Sequence, residues 1–142
     1  MKISDLLRDK GSAVATVSPT TTVTELLGVL GKYNIGATVV SDGDNVVGIV
    51  SERDIVRRLD ERGAALLGVA VGEIMTRNVV TCAPEDSVDS LAATMTERRI
   101  RHMPVVSSGQ LVGIVSIGDV VKSRISQLET DREQLESYIS HG

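Results

Sequence analysis

The residues with the clearest chemical potential form one pattern that occurs twice. Gly48-Ile49-Val50-Ser51-x-x-Asp54 comes first, and Gly113-Ile114-Val115-Ser116-x-x-Asp119 follows later in the chain. A serine followed three residues later by an acid, before a helix, is typical of a capping box. The hydroxyl accepts from a free backbone N–H, and the acid favours the helix dipole. Either copy taken alone predicts no more than a stable helix start.

The same geometry also suits ligand binding. A strand that runs into a helix start leaves backbone N–H groups free to bind an anion or a sugar. An ionised carboxylate only accepts hydrogen bonds, so Asp54 and Asp119 would each suit the two neighbouring hydroxyls of a ribose. We expect Gly48 and Gly113 to let a ligand ring approach the backbone closely. Serine and aspartate have several lone pairs, so capping and ligand binding are compatible.

The pattern belongs to a longer internal repeat. A shift of 65 positions aligns residues 14–56 with residues 79–121 without a gap, and residues 3–7 align with residues 71–75 once three residues are removed. Such a repeat indicates one supersecondary unit used twice. The predicted organisation is a first repeat over residues 1–60, a connection over 61–70, a second repeat over 71–124 and a C-terminal extension over 125–142.

Each repeat predicts the order β-α-β-β-α. The expected elements are short strands at 14–16 and 79–81, helices capped by Thr22 and Ser87, hairpins within 38–50 and 103–115, and exit helices starting at Ser51 and Ser116. Thr22 and Glu25 predict a further capping box. One repeat cannot bury its own sheet face. We therefore expect an α/β fold, of the α+β type, in which two copies pack about a pseudo-twofold axis and a long C-terminal helix follows.

Composition excludes several functional classes. The 142 residues carry a net charge of −4 and include neither Phe nor Trp, so the core must be aliphatic and few rings could stack on nucleic-acid bases. No nucleic-acid partner is expected.

The longest uncharged apolar stretch, residues 64–72, is far below the roughly 20 residues of a membrane span. Residues 1–10 are too charged for a signal peptide, so a cytoplasmic protein without membrane contact is expected. The single cysteine, Cys82, predicts a small buried apolar residue.

The densest basic run lies at residues 97–102. Arg98 and Arg99 suit a solvated helix end, whereas Arg101 and His102 precede a buried strand and are better candidates for ligand contacts. Arg53 lies inside the first Ser-x-x-Asp pattern and could reach a phosphate. Catalysis is not expected, because His102 has no recognisable nucleophile or orienting carboxylate and the sequence carries no Walker, GxGxxG, HExxH, CxxC or GxSxG pattern.

Two features bear on oligomerisation. The predicted helices carry apolar stripes that we expect to be too rich for a solvated surface, formed by Val23, Leu26, Leu30, Val88, Leu91 and Met95. The C-terminal extension continues a heptad-like apolar series, interrupted by Arg132, at residues 121, 125, 128, 135 and 139. That helix either folds back on its own domain or contacts another copy, and the sequence leaves both alternatives open. A homodimer is the expected state.

Together these features resemble a tandem CBS-domain pair, also called a Bateman module. The resemblance covers roughly residues 3–124. It rests on the duplicated element order, the duplicated Gly-Ile-Val-Ser-x-x-Asp pattern and the segment Arg101-His102-Met103-Pro104-Val105-Val106. In this family two clefts bind adenosine-containing ligands such as AMP, ADP, ATP or S-adenosylmethionine. The resemblance also implies a dimer and a regulated target protein, which the sequence does not identify.

The resemblance implies a binding site divided between two clefts. Its residues are Val14, Thr16, Ser51, Asp54, Val79, Thr81, Arg101, His102, Ser116 and Asp119. The serines approach the phosphate or ribose, the aspartates hold the ribose, and the segments at 14–16 and 79–81 lie beside the base. The basic pair of the second repeat is expected in the Ser51 cleft. The first repeat has Gly36 and Ala37 at those positions, so the two clefts are predicted to be unequal.

The resulting interpretation is a non-catalytic sensor, with an adenine nucleotide as its regulatory ligand and no catalytic cofactor. The alternative is a structural or interaction module whose clefts are vestigial or empty. An enzyme is the least favoured class. Retention of serine and aspartate in both copies favours the sensor, because a helix cap alone would tolerate many substitutes.

Overall fold

The computed structural model describes residues 1–11 and 13–141. The predicted extension ends at Gly142, which lies outside these ranges. The helices are α1 (Ile3–Lys10), α2 (Val23–Tyr33), α3 (Glu52–Arg62), α4 (Val88–Arg98) and α5 (Ile117–His141). The strands are β1 (Thr16–Val17), β2 (Ala37–Asp42), β3 (Asn45–Ser51), β4 (His102–Ser107) and β5 (Gln110–Ser116). Short 3-10 turns at Gly63–Gly68 and Val71–Glu73 join the repeats.

The two hairpins have the same register. Thr38 pairs with Val50 across β2 and β3, and Met103 pairs with Val115 across β4 and β5. Both ladders carry an irregularity at the same place, after Val40 and after Val105. The predicted hairpins are therefore confirmed: in each, two short runs rich in valine flank a turn that contains residues at positive φ, Gly43 in the first and Ser108 and Gly109 in the second.

The short first strands differ from the prediction. β1 lies at Thr16–Val17 instead of residues 14–16 and runs parallel to β2, with Val17 opposite Val40. The predicted strand at 79–81 is wrong, because in the second repeat only Cys82 forms a parallel bridge, to Val105. The N–H of Val79 donates to the carbonyl of Arg77 at 3.0 Å, which turns the backbone before it can join β4.

The helix starts follow the capping chemistry in part. Ser51 and Asp54 form a complete capping box at α3. At α2, Thr22 Oγ1 accepts from the N–H of Glu25 at 3.2 Å but donates to Glu25 Oε1 at 3.0 Å. The predicted box is therefore only half formed, since the Glu25 carboxylate accepts the hydroxyl and not the backbone N–H of Thr22.

Each repeat's core is completed by the leading segment of the other repeat. Ile3, Leu6 and Leu7 of α1 pack with the second repeat's apolar side chains, including Leu91 and Met103. Reciprocally, the turn after the connection packs on the first repeat, where its apolar side chains are Val71, Ile74 and Met75. This exchange accounts for the expected pseudo-twofold arrangement, because neither sheet is covered without the other repeat.

The connection between the repeats also packs on the first core. Leu66 is fully buried there. The carbonyl of Leu67 accepts from Thr24 Oγ1 at 2.7 Å, and the carbonyl of Val69 accepts from the N–H of Val23 at 3.0 Å. These contacts hold the connection against helix α2.

The helix stripes from which a dimer interface was expected are buried inside the chain. The exposed fractions of Val23, Leu26, Leu30, Val88, Leu91 and Met95 lie between 0% and 7%. The argument for dimerisation from these stripes is therefore wrong, because the two internal cores already cover them. Large apolar side chains that remain exposed include Leu27, Val56, Leu59, Val121, Ile125, Leu128, Leu135 and Ile139.

Helix α5 leaves the body of the protein after its first turns. Val120 is buried, and Arg124 forms an ion pair with Asp89 of α4. From residue 124 to residue 140 every described side chain is exposed. The alternative in which this helix folds back on its own domain is therefore wrong. Over the described residues, the helices are too short or too polar to cross a membrane.

Candidate ligand-binding clefts

Two cavities lie where elements of the two repeats meet. The Ser51 cleft, about 470 Å³, contains Ser51 and Asp54 together with Val79, Arg101 and His102 of the second repeat. The Ser116 cleft, about 570 Å³, contains Ser116 and Asp119 of the second repeat together with segments of the first. Both volumes are in the range of small-molecule sites. The sequence-predicted serines and aspartates thus divide between two clefts, one pair in each.

In the Ser51 cleft the serine and aspartate are held by the helix cap. The N–H and the hydroxyl of Ser51 both donate to Asp54 Oδ2, at 2.9 and 3.1 Å. The N–H of Asp54 donates to Ser51 Oγ at 3.4 Å. Within the described chain, Asp54 Oδ1 receives no hydrogen bond or ion pair, so one carboxylate oxygen remains available to a ligand hydroxyl.

The segments predicted to lie beside a base are placed partly as expected. Val79 lines the Ser51 cleft, and Val14 lines the Ser116 cleft. Each cleft therefore combines the Ser-x-x-Asp pattern of one repeat with the leading segment of the other. Thr16 and Thr81 are exposed and do not line either cleft. The structure thus separates these two threonines from the remaining predicted residues.

The Ser51 cleft is rich in arginine. Arg101 and Arg53 lie there as the sequence suggests. Arg57 lines the same cleft, as does Arg99, which the sequence analysis assigns to a solvated helix end. Arg57 follows Arg53 by one helical turn, which is the signal that could have identified it. Arg99 ends helix α4 with a positive φ of 55°, a conformation that sequence analysis does not reveal for arginine.

The Ser116 cleft has a cation that the sequence analysis missed. Gly36 and Ala37 lie in it as predicted, but so do Lys10, Tyr33 and His102. Lys10 Nζ donates to Asp119 Oδ2 and to the backbone carbonyl of Ile114, both at 2.6 Å. Because 109 residues separate Lys10 from Asp119, no local spacing could have indicated this pair.

The helix cap in the Ser116 cleft matches that of the first repeat. The N–H of Ser116 donates to Asp119 Oδ2 at 2.8 Å, and the N–H of Asp119 donates to Ser116 Oγ at 3.1 Å. Partial burial alone would raise the pKa of Asp119. The hydrogen bonds from Lys10 and from the Ser116 N–H outweigh burial and hold that pKa below its ordinary value.

His102 contacts both clefts. Its burial lowers the pKa of the imidazole, and the positive charge of Lys10 lowers it further, against smaller opposite effects of Asp119 and Glu52. The neutral imidazole is therefore favoured, so His102 lines both clefts as an uncharged polar side chain.

The glycines of the repeated pattern do not face the clefts. A Cβ on Gly48 would lie 2.5 Å from Met75 Sδ, and one on Gly113 would lie 2.7 Å from Leu7 Cδ2. The expectation that these glycines admit a ligand ring is therefore wrong. They are needed because the leading segment of the opposite repeat packs directly on the strand backbone.

Cys82 packs beside the second core and is only partly exposed. Burial raises the pKa of its thiol to about 11, with a smaller contribution from Asp86. The thiol donates to the carbonyl of Pro104 at 3.6 Å. The neutral thiol is therefore favoured.

Among the residues that the structure describes, no group of three His, Cys, Asp or Glu side chains is placed to hold a metal ion.

Comparison with known proteins agrees with the repeat architecture. The family model of the CBS domain matches residues 3–61 and again residues 71–126. The CBS domain-containing protein CBSX3, mitochondrial, of Arabidopsis thaliana is 32% identical over 99% of this chain and 72% of its own length.

Solved structures give the same result. The CBS-domain containing protein ATU1752 from Agrobacterium tumefaciens is 46% identical, with a TM-score of 0.85 over 87% of this chain and 99% of that one. The CBS domain pair of protein MJ0100, solved in complex with 5′-methylthioadenosine and S-adenosyl-L-methionine, is 28% identical with a TM-score of 0.80 over 89% and 98%. By its repeats, its clefts and these matches, the chain belongs to the CBS-domain family, as a tandem pair.

Proposed function

We propose that this protein is a non-catalytic regulatory module that binds adenosine-containing ligands in the clefts between its two CBS domains. The observation that carries the proposal is the repeated placement of a capped Ser-x-x-Asp pattern at each cleft. In the Ser51 cleft, Asp54 keeps a carboxylate oxygen for a ribose hydroxyl. The bound adenosine ligands of the MJ0100 pair support the same class of ligand here.

The charges lining the two clefts support a division of ligands. The Ser51 cleft has Arg53, Arg57, Arg99 and Arg101 against Glu52 and Asp54, an excess of two positive charges. The Ser116 cleft has Lys10 against Asp119, which balance each other. Nucleotides with several phosphates, such as ADP or ATP, therefore prefer the Ser51 cleft. AMP or a less charged adenosine derivative suits the Ser116 cleft.

The regulatory mechanism is linkage between ligand and domain orientation. We assign residues 1–60 and 71–124 as the two sensing units, with 61–70 as their connection. Each cleft contains segments of both units, so a ligand with different affinities for two relative orientations shifts their populations. The unidentified target protein would respond to the surface that this shift presents.

A homodimer remains part of the proposal, but it now rests on exposed apolar residues of the exit helices and not on the buried helix stripes. Exposed apolar residues lie at equivalent positions of the two exit helices, Val56 on α3 and Val121 on α5. On α5 the exposed apolar series continues through Ile125 and Leu128 at heptad-like spacing. Helices of two chains can cover each other along this series. We place the dimer in the cytoplasm, and cell fractionation tests that location.

The function is tested first by mass spectrometry of ligands that copurify with the native protein. Isothermal titration calorimetry then compares AMP, GMP and 2′-deoxy-AMP. We expect AMP to bind most tightly. Loss of the 2′-hydroxyl removes a hydrogen bond to a carboxylate, a contact that contributes about 1.5–3 kcal/mol. Equal affinities for the three nucleotides would contradict recognition of adenosine.

The alternative function is an interaction module with empty clefts. One observation favours it: Lys10 already pairs with Asp119, as a ligand otherwise would. This alternative predicts no copurifying adenosine ligand and no saturable calorimetric signal with any of the three nucleotides.

A further inference from the structure

Lys10 donates to a backbone carbonyl of the second repeat whose equivalent in the first repeat accepts from a backbone N–H. In the first repeat, the carbonyl of Ile49 accepts from the N–H of Thr76 at 2.8 Å. Ile114 is the equivalent residue of the second repeat, and its carbonyl accepts from Lys10 Nζ at 2.6 Å. The lysine side chain therefore extends from the end of α1 into the cleft built on the opposite repeat.

The position of Lys10 complements the missing basic pair. The Ser51 cleft receives Arg101 and His102 from β4 and its preceding loop, whereas the equivalent residues in the Ser116 cleft are uncharged. Extending the alignment of residues 3–7 with 71–75 places Lys10 opposite Asn78, and both line their respective clefts. Each cleft thus obtains a cation from a different element of the fold.

The hydrogen bonds of Lys10 leave one donor for a ligand. An ammonium group has three N–H donors, and within the described residues two are used, by Asp119 and by the Ile114 carbonyl. Without Lys10, the Asp119 carboxylate would repel an anionic ligand. With Lys10 the pair is neutral overall, and the third N–H can donate to an anionic oxygen.

We propose that Lys10 determines the ligand specificity of the Ser116 cleft, by making it prefer an adenosine ligand with an anionic phosphate over the uncharged nucleoside. The inference rests on the proposed function, since it concerns the same clefts. A purely structural Lys10 would instead only tie α1 to β5. Its replacement would then weaken charged and uncharged ligands alike.

The test compares AMP with adenosine by NMR, following the backbone amides of Ser116 and Ile117 for one cleft and of Ser51 and Glu52 for the other. In the wild-type chain we expect AMP to bind the Ser116 cleft about tenfold more tightly than adenosine. Lys10→Met should reduce this ratio to about one, and Lys10→Arg should keep it within about threefold of wild type. Arg8→Met is the matched control, because Arg8 lies on the same helix, is largely exposed and pairs with Asp5 outside both clefts.

The outcomes separate the two proposals. If neither ligand shifts any of these amides in the wild-type chain, the proposed function fails and the role of Lys10 fails with it. If AMP binds at Ser51 but not at Ser116, or if Lys10→Met leaves the ratio unchanged, the role of Lys10 is overturned while the adenosine function stands. An equal change of the ratio in Arg8→Met would also overturn it, since the loss of any positive charge from helix α1 would then explain the effect.

Discussion

Leu7 lies against the backbone of Gly113, so closely that a Cβ on the glycine would approach Leu7 Cδ2 to 2.7 Å. The equivalent pair in the other repeat is Met75 and Gly48, where the added Cβ would lie 2.5 Å from Met75 Sδ. Both pairs join residues of different repeats. They therefore link the folding of each CBS domain to its neighbour, and with it the shape of both clefts.

The first prediction concerns this packing. Gly113→Ala should destabilise the fold by about 1–3 kcal/mol, because the new methyl group overlaps a buried leucine side chain. Urea denaturation measures the change. Gly28→Ala is the control, since Gly28 lies inside α2 with nothing within 4 Å of an added Cβ, and it should stabilise the helix by roughly 0.5–1 kcal/mol. Equal effects of the two substitutions would contradict the packing argument.

The second prediction concerns a buried hydroxyl. Thr38 is fully buried in β2, and within the described chain its Oγ1 has no hydrogen-bond partner. Thr38→Val keeps the side-chain shape and removes the unpaired group, so it should raise the free energy of unfolding by about 1 kcal/mol. The same substitution at exposed Thr81 serves as the control and should change stability by less than about 0.5 kcal/mol. A loss of stability in Thr38→Val would show that the hydroxyl is satisfied.

The third prediction concerns pH. The pKa of Asp119 in the folded protein lies below its ordinary value of 3.8, so the carboxylate stabilises the fold above that pH. This contribution is lost as pH falls through the lowered pKa. We expect Asp119→Asn to lower the free energy of unfolding by about 1 kcal/mol at pH 7 and by progressively less below about pH 4. Thermal unfolding of both proteins across this range measures the difference, and a pH-independent difference would contradict the assignment.

The fourth prediction concerns the inequality of the clefts. Asp54→Ala and Arg101→Ala should each weaken the tighter ADP site by about tenfold or more, because each removes a charged contact in the Ser51 cleft. Asp119→Ala should leave that site nearly intact. Calorimetric titration with ADP, after circular dichroism has verified the fold of each variant, measures the change. Loss of the tight site in Asp119→Ala together with its retention in Asp54→Ala would show that the clefts are assigned the wrong way round.

The fifth prediction concerns assembly. Light scattering at tens of micromolar should give twice the chain mass of 15.1 kDa. Ile125→Glu should shift the protein toward the monomer, since it places a charge in the exposed apolar series of α5. Ser126→Glu, which adds the same charge at an exposed position outside that series, is the matched control. A wild-type mass of 15.1 kDa would refute the dimer.

Local features of the chain were predictable from the sequence. The two hairpins followed from short apolar runs on either side of turn residues. Their exact register was not predicted, because an irregularity after Val40 and after Val105 shifts the pairing by one residue and places Thr38 opposite Val50. The capping box of Ser51 and Asp54 involves residues only three positions apart, so its geometry depends on the helix start alone. Duplication of these local signals was sufficient to predict the repeat and the fold class.

Only the tertiary structure decided that Lys10 enters the Ser116 cleft. Lys10 reaches Asp119 because the leading helix crosses to the opposite repeat, and that crossing depends on burying Ile3 and Leu7 in a core formed by distant residues. The expectation that Gly48 and Gly113 admit a ligand ring was wrong for the same reason. The side chains that pack on these glycines, Met75 and Leu7, are remote in sequence. Contacts of this kind depend on how two apolar faces cover each other, and no residue pattern of one repeat specifies its partner's side chains.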